Sequence, residues 1–340
     1  MICREPLHSP DRRPVGHMPA VESGADASEI DCCARGASAG VRARVTGDVA
    51  VLINPRADRG RGLRVGVAAT REFRTLGIAV DVLVGRSAAE SDQLARAAVD
   101  RGCGALVVCG GDGIVHTALQ AVAGTQVPLG VVPAGSGNDF ARALGLPLGD
   151  IGAAVAVVSA GRSVSVDLGR AGGRWFGTVL AAGFDSRVND RMNRMRWPRG
   201  RTRYHAAILG ELAGFRPIPF VLELDGLRRE LEGMLVAIGN GSTYGGGMRI
   251  CPAATLTDGL LDVTVVTAIS RTKLARLFPS VYSGRHVLRP EVLTFRCESV
   301  TVSAAGVAGY ADGEFVAQLP VTCAAVRDAV RVLVPVSFGG

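Results

Sequence analysis

Lysine is almost missing from this chain: Lys273 is the only one among 38 basic residues. A G-x-x-x-x-G-K-[ST] phosphate loop needs a lysine directly after glycine, and a protein-kinase fold needs one on its third strand. Lys273, in ISRTKLARLF, follows no glycine-rich loop, so both classes are excluded. Aromatic residues are scarce at 5%, which leaves little for base stacking, and no nucleic-acid-binding motif is recognisable. Nucleic acid is not an expected partner. No apolar run reaches the roughly 18 to 20 residues of a membrane span, and MICREPLHSP lacks the apolar segment of a signal peptide. A cytoplasmic chain is the expectation. The eight cysteines, at 3, 32, 33, 103, 109, 251, 297 and 323, form no C-x-x-C pair and have no histidine at ligand spacing. Neither a zinc site nor a disulfide framework is supported, and small buried thiols are expected.

What remains is a chain of 340 residues, 48% hydrophobic, with a formal charge of +7. That length holds one large or two medium domains, and the charge implies a mild preference for anionic partners. Residues 1–46 mix Arg, Asp, Gly, Ser, Ala and Pro without periodicity and read as a disordered leader. From 47 onward, DVAVLINP reads as a buried strand, 62–76 as a helix, IAVDVLV as a strand and 87–101 as a helix. GALVVCG, 114–123, VPLGVVPAG and 137–145 repeat the strand–helix alternation. Such alternation predicts a parallel sheet covered on both faces, whose ligands bind at the strand ends. After about residue 160, short alternating strands such as SVSVDLGRAGGRWFGTVLAAGF predict mostly antiparallel β-structure, interrupted by helical stretches at about 186–214 and 270–283. The closing AVRVLVPV is a strand that either completes the second domain or returns to the first.

Two glycine-rich loops lie on one edge of the predicted sheet. Gly110, Gly111 and Gly113 follow the third strand, where bare backbone lets N–H groups approach a phosphate and the next helix directs its positive end there. Asp112 would repel a phosphate unless a cation lay between, so a carboxylate here points to a nucleotide bound with Mg²⁺. In PAGSGNDFAR, Gly135, Ser136 and Gly137 offer further donors, Asn138 is a candidate cap, and Asp139 opens the next helix.

Six stretches in order, LINPRADRGRG, GGDGIVHTAL, PAGSGNDFARALG, AAGFDSRV, GNGSTYGGGMRICPAATLTDGLLDV and YADGEF, resemble the motifs of the diacylglycerol kinase catalytic family, over about residues 47–336. The resemblance implies an α/β ATP-binding domain (47–165), a mostly antiparallel β-sandwich lipid domain (166–340), and an active site in the cleft between them. It places ATP on Asn54, Pro55, the GGDG loop and Ser136 to Asn138, and it gives Asp112 to the nucleotide and its Mg²⁺. Asp312 matches the proposed general base, with Glu314 beside it; an alcohol needs such a carboxylate to take its proton. Asp258, in TLTDGLLD, matches a structural Mg²⁺ ligand, although Thr257 stands where the family commonly has a first aspartate.

Three departures are visible. Where the family continues GGDGT and then has an Asn-Glu pair, this chain has Ile114, His116 and Thr117. Loss of the threonine hydroxyl removes a candidate phosphate or metal contact, and loss of the glutamate removes a charge from the helix's first turn. His116 is read as a satisfied or solvated histidine, with substitution as a polar contact the alternative. The segment SRVNDRMNRMRWPRGRTRYH sets Arg191, Arg194, Arg196 and Arg199 around Trp197, which suits an anionic bilayer, where each arginine contributes about 1 kcal/mol. The expectation is an ATP- and Mg²⁺-dependent lipid kinase on the inner face of the plasma membrane, with diacylglycerol the first acceptor. Its rivals are another acceptor (sphingoid base, polyprenol or NAD) and an ATP- and membrane-binding sensor impaired in turnover. Dimerisation is left open.

Overall fold

The computed structural model describes residues 47–55, 60–184, 186–188, 191, 195, 207, 210 and 216–339. β1 (Val49–Ile53) and β3 (Ala105–Gly110) are unbroken apolar runs, buried along their whole length. Alternation persists inside the run. Val49, Val51 and Ile53 pack with Val65, Ala69 and Phe73 of α1 (Arg61–Thr75). Ala50 and Leu52 face the other way, among Ala95 and Ala98 of α2 (Ala88–Asp100) and Val115 and Leu119 of α3 (Asp112–Val122). A strand covered on both faces has no solvent side for polar residues, so both faces stay apolar.

β2 (Val80–Val84), β1, β3 and β4 (Leu129–Pro133) form a parallel sheet in that order. After β4 come α4 (Asp139–Ala143), shorter than the predicted 137–145, and α5 (Ile151–Ser159), for which the sequence offered no clear signal. IGAAVAVVS is apolar around most of its circumference, so it shows little helical period; its start is fixed by Asp150, whose carboxylate accepts the Ala153 N–H at 2.9 Å.

The second half is antiparallel, as expected. It comprises β5 (Ser163–Ala171), β6 (Arg174–Phe176), β7 (Val179–Gly183), β8 (Ile218–Leu224), β9 (Leu227–Gly239), β10 (Leu261–Thr267), β11 (Val292–Cys297), β12 (Ser299–Ser303), β13 (Ala308–Ala311), β14 (Glu314–Gln318) and β15 (Val321–Leu333). One apolar core joins Leu180, Phe220, Val236, Val263 and Val300; a second, on the other face of β7 and β9, is closed by Leu277 and Val281 of α6 (Arg271–Val281). β15 settles where the last strand belongs. Its first residues pair antiparallel with β12, Val332 pairs parallel with Leu129 of β4, and the register breaks between Val326 and Val330. The strand serves both halves, and one continuous sheet runs through them. Cys103, Cys109, Cys251, Cys297 and Cys323 are buried free thiols.

Candidate active site

β1, β3 and β4 end level with one another, Ile53 opposite Cys109 and Gly110 opposite Pro133. Asn54 and Pro55, the GGDG loop and Gly135 to Asn138 therefore share the carboxyl edge of the parallel sheet. The two glycine loops touch. A side-chain carbon on Gly135 would stand 2.5 Å from the Gly111 Cα, and one on Gly137 would stand 2.6 Å from Asp112 Oδ2. Asn138 binds back to its own loop, accepting the Gly135 N–H at 3.0 Å and donating to the Gly135 carbonyl at 2.8 Å; it does not cap α4 through its side chain. Ser136 is exposed. Gly113 is different: among the described residues outside its own helix, a side-chain carbon there would meet Glu314 Oε1, at 3.8 Å. Three of the loop glycines are thus dictated by packing between loops, and Gly113 is the open one, at the first turn of α3.

Asp112 Oδ1 accepts the N–H groups of Asp139 at 2.7 Å and Phe140 at 3.3 Å, so its carboxylate holds the start of α4. Burial, then the charge of Asp139 and that of Asp312, push its carboxyl up to about 6 against those two N–H groups. Asp139 reaches across to the second half, accepting the Gly246 and Gly247 N–H groups at 2.7 Å each; burial still raises its pKa. The YGGG turn is thereby fastened beside the glycine loops.

Asp312 and Gly313 form the two-residue turn between β13 and β14, both with positive φ (51° and 86°), which is the geometry an Asp-Gly hairpin favours. The Asp312 side chain is 5% exposed. Its oxygens accept from Gly177 N–H (2.9 Å), Thr178 N–H (2.9 Å) and Thr178 Oγ1–H (2.6 Å), and His116 Nδ1 lies 3.2 Å away. Burial alone would raise its pKa; the His116 contact and the Thr178 and Gly177 bonds outweigh burial and hold it below the usual carboxylate range. A carboxylate so engaged is a poor proton acceptor. Glu314, two residues on, is exposed and stands over Gly113. Asp312, matched in sequence to the proposed general base, is held in the turn by these bonds, and Glu314 is the exposed carboxylate that faces the glycine loop.

His116 is buried and hydrogen-bonded across the two halves rather than solvated. Ile114 is 4% exposed and lies in the α/β core, so a side chain at this position turns away from the loop; Thr117 donates to the Gly113 carbonyl at 3.0 Å. Asp258 lies in the turn before β10, where Arg296 pairs with its Oδ2 and sits 3.6 Å from Asp262. Of Arg191, Arg194, Arg196, Trp197 and Arg199, the four after Arg191 lie outside the described residues; Arg191 is exposed at a helical position.

Sequence reasoning missed Gly177 and Thr178 and gave Asn240, in the GNG stretch of the family resemblance, no role of its own. Asn240 Nδ2 donates to the Asp167 and Gly177 carbonyls, and the Asn240 and Gly241 N–H groups meet the Thr178 carbonyl, so the GNG stretch holds the loop that in turn holds Asp312. No periodicity marks such a bracket, because its partners are 63 and 73 residues away in the chain.

Paired glycine loops at the carboxyl edge of a parallel sheet, facing a carboxylate from an antiparallel half, define a phosphotransferase of the two-domain kinase type. Residues 48–171 match the family described as "Diacylglycerol kinase catalytic domain", and 178–334 match "YegS C-terminal NAD kinase beta sandwich-like domain". A diacylglycerol kinase of Mycobacterium tuberculosis is 46% identical over 301 residues, 87% of this chain and 97% of that one. A diacylglycerol kinase of Staphylococcus carnosus is 29% identical, covering 68% and 76%. The crystal structure of a diacylglycerol kinase from Bacillus anthracis shares the fold, with a TM-score of 0.65 at 17% identity over 86% of this chain and 98% of that one. The chain belongs to the diacylglycerol kinase catalytic family.

Proposed function

We propose that this chain is an ATP- and Mg²⁺-dependent lipid kinase that transfers the γ-phosphoryl group to a lipid hydroxyl, diacylglycerol being the first acceptor. The observation that carries the reading is Glu314, an exposed carboxylate of the antiparallel half set over Gly113, at the N-terminal turn of α3. The 11-residue α3 directs its positive end and free N–H groups at an incoming phosphate. Glu314 is placed to accept the proton of an alcohol that approaches that phosphate.

Asp112 is the residue that would hold Mg²⁺, with phosphate oxygens completing a site that the described side chains alone do not form. Asp112 is a hard oxygen donor whose charge is crowded by Asp139 and Asp312, and a cation relieves that crowding. Bound there, Mg²⁺ would neutralise the phosphate charge, shared among Asp112, phosphate oxygens and water. The sensor alternative rested on Ile114 and Thr117. With Ile114 buried in the core, a hydroxyl at that position would not reach a phosphate, which favours the active kinase.

No helix among the described residues is long and apolar enough to cross a membrane. Contact with an anionic bilayer through the arginine segment around Arg191 would then deliver the substrate at the surface. The test is transfer of labelled γ-phosphate from ATP to diacylglycerol in mixed micelles with Mg²⁺. Wild type should label the lipid, and Glu314→Gln should lose about 10²- to 10⁴-fold in kcat. Full activity in that variant would remove Glu314 as proton acceptor; absence of labelled lipid with wild type across an acceptor panel would remove the kinase reading.

A further inference from the structure

The α3 helix carries more than the glycine loop. His116 and Gln120, one turn apart, lie on the same face and both grip the antiparallel half. Gln120 exchanges two hydrogen bonds with the Trp175 backbone, donating to its carbonyl at 2.8 Å and accepting its N–H at 3.0 Å. His116 meets Asp312 Oδ2 at 3.2 Å. The imidazole is only 4% exposed, and its other nitrogen, Nε2, is buried without a hydrogen-bond partner among the described residues. An unpartnered buried nitrogen is a cost to folding, and a purely structural contact would be better served by a side chain without it.

The geometry beyond His116 gives the contact its use. Asp312 is both the first turn residue of the β13–β14 hairpin and the acceptor for Gly177 and Thr178, so whatever fixes its carboxylate fixes the turn. Glu314 follows at the first position of β14 and stands over Gly113, three residues before His116 on α3. The helix that presents its N-terminus to the phosphate thereby also holds, through one imidazole, the hairpin that presents the carboxylate.

We propose that His116 is a positioning residue for phosphoryl transfer: its Nδ1–H, donated to Asp312, locks the Asp312–Gly313 turn so that Glu314 is held over the N-terminus of α3. The proposal rests on the reading of Glu314 as proton acceptor. Because the donor is Nδ1, an asparagine, whose amide nitrogen stands at a similar distance along the side chain, should replace it; leucine should not.

The test compares wild type, His116→Asn, His116→Leu and Glu314→Gln as full chains, in three readouts: kcat and KM for diacylglycerol phosphorylation, Mg-ATP binding, and amide hydrogen exchange over residues 311–315. Misplacing a reacting group by about 1 Å can cost about 10²-fold, so His116→Leu should lose about 30- to 100-fold in kcat, with ATP affinity within about threefold of wild type. His116→Asn should recover the rate to within about threefold, and exchange in the turn should rise in the leucine variant alone. Wild-type kcat and exchange in His116→Leu would overturn the proposal. So would an asparagine variant as slow as the leucine one with a protected turn, since that outcome gives the role to Nε2 and not to the donated Nδ1–H. If Glu314→Gln keeps full rate, the proton-acceptor reading fails; the exchange readout then still decides whether His116 holds the turn.

Discussion

Asp112→Asn should stabilise the fold while it abolishes activity, because the carboxylate sits where folding disfavours a charge. Burial, the Asp139 charge and the Asp312 charge raise its carboxyl from the ordinary 3.8 to about 6. At about 1.4 kcal/mol for each tenfold change in acidity, the ionised form costs the folded state about 3 kcal/mol. The folded value lies above the unfolded one, so the group favours folding below about pH 4, and that contribution is lost as pH rises through about 6. Asparagine keeps an oxygen to accept the Asp139 and Phe140 N–H groups and never ionises; burying its amide NH₂ takes back about 1 kcal/mol. The balance is a gain of roughly 2 kcal/mol at about pH 7.5, or roughly 4 to 8 °C in Tm, shrinking to nothing or reversing near pH 4. Scanning calorimetry of both proteins at the two pH values, without nucleotide or metal, measures it. Phosphoryl transfer, assayed in parallel, should fall by at least about 10²-fold. If the variant melts below wild type at pH 7.5, the ionised carboxylate is a net support for α4, and the crowding argument, with the Mg²⁺ affinity drawn from it, is wrong.

The glycine loops allow a separation of packing from ligand contact. Gly135→Ala forces a carbon to within 2.5 Å of the Gly111 backbone and should lower Tm by several degrees, at a cost of about 1–3 kcal/mol. Gly113→Ala meets no protein backbone and should leave Tm within about 2 °C while weakening Mg-ATP binding about tenfold; unchanged binding in a calorimetric titration would place the phosphates elsewhere. Arg296→Met leaves the Asp258 and Asp262 carboxylates without their guanidinium and should cost about 1 kcal/mol in chemical denaturation, since Arg296 itself is half exposed. If millimolar Mg²⁺ restores that loss, Asp258 is competent to hold a metal; no effect of Mg²⁺ on the variant removes Asp258 from the metal ligands.

Much of the parallel half was legible in the sequence because its information is local. VAVLI and ALVVCG are apolar without interruption, as strands covered on both faces must be, and GGDG and PAGSGND follow strands in the order that brings both loops to one sheet edge. α5 was missed for the same reason run backwards: an Ala- and Val-rich helix that is apolar on its exposed side as well leaves no polar stripe to read. The two ends of β15 could not be apportioned either, since one strand pairs with β12 at its start and β4 at its end.

The sequence by itself determined the fold class, the family, and that the two glycine loops share one sheet edge. Only the tertiary structure decided how each side chain is held. Asp312 and Glu314 are the same chemical group two residues apart, but a hairpin turn buries one among Gly177, Thr178 and His116 and leaves the other exposed over Gly113. His116, read from sequence as a satisfied or solvated side chain, became the tie between halves because α3 and the β13–β14 turn, 196 residues apart at that contact, meet across the cleft. A carboxylate's basicity is set by the donors and charges around it, and those come from distant parts of the chain that only folding brings together.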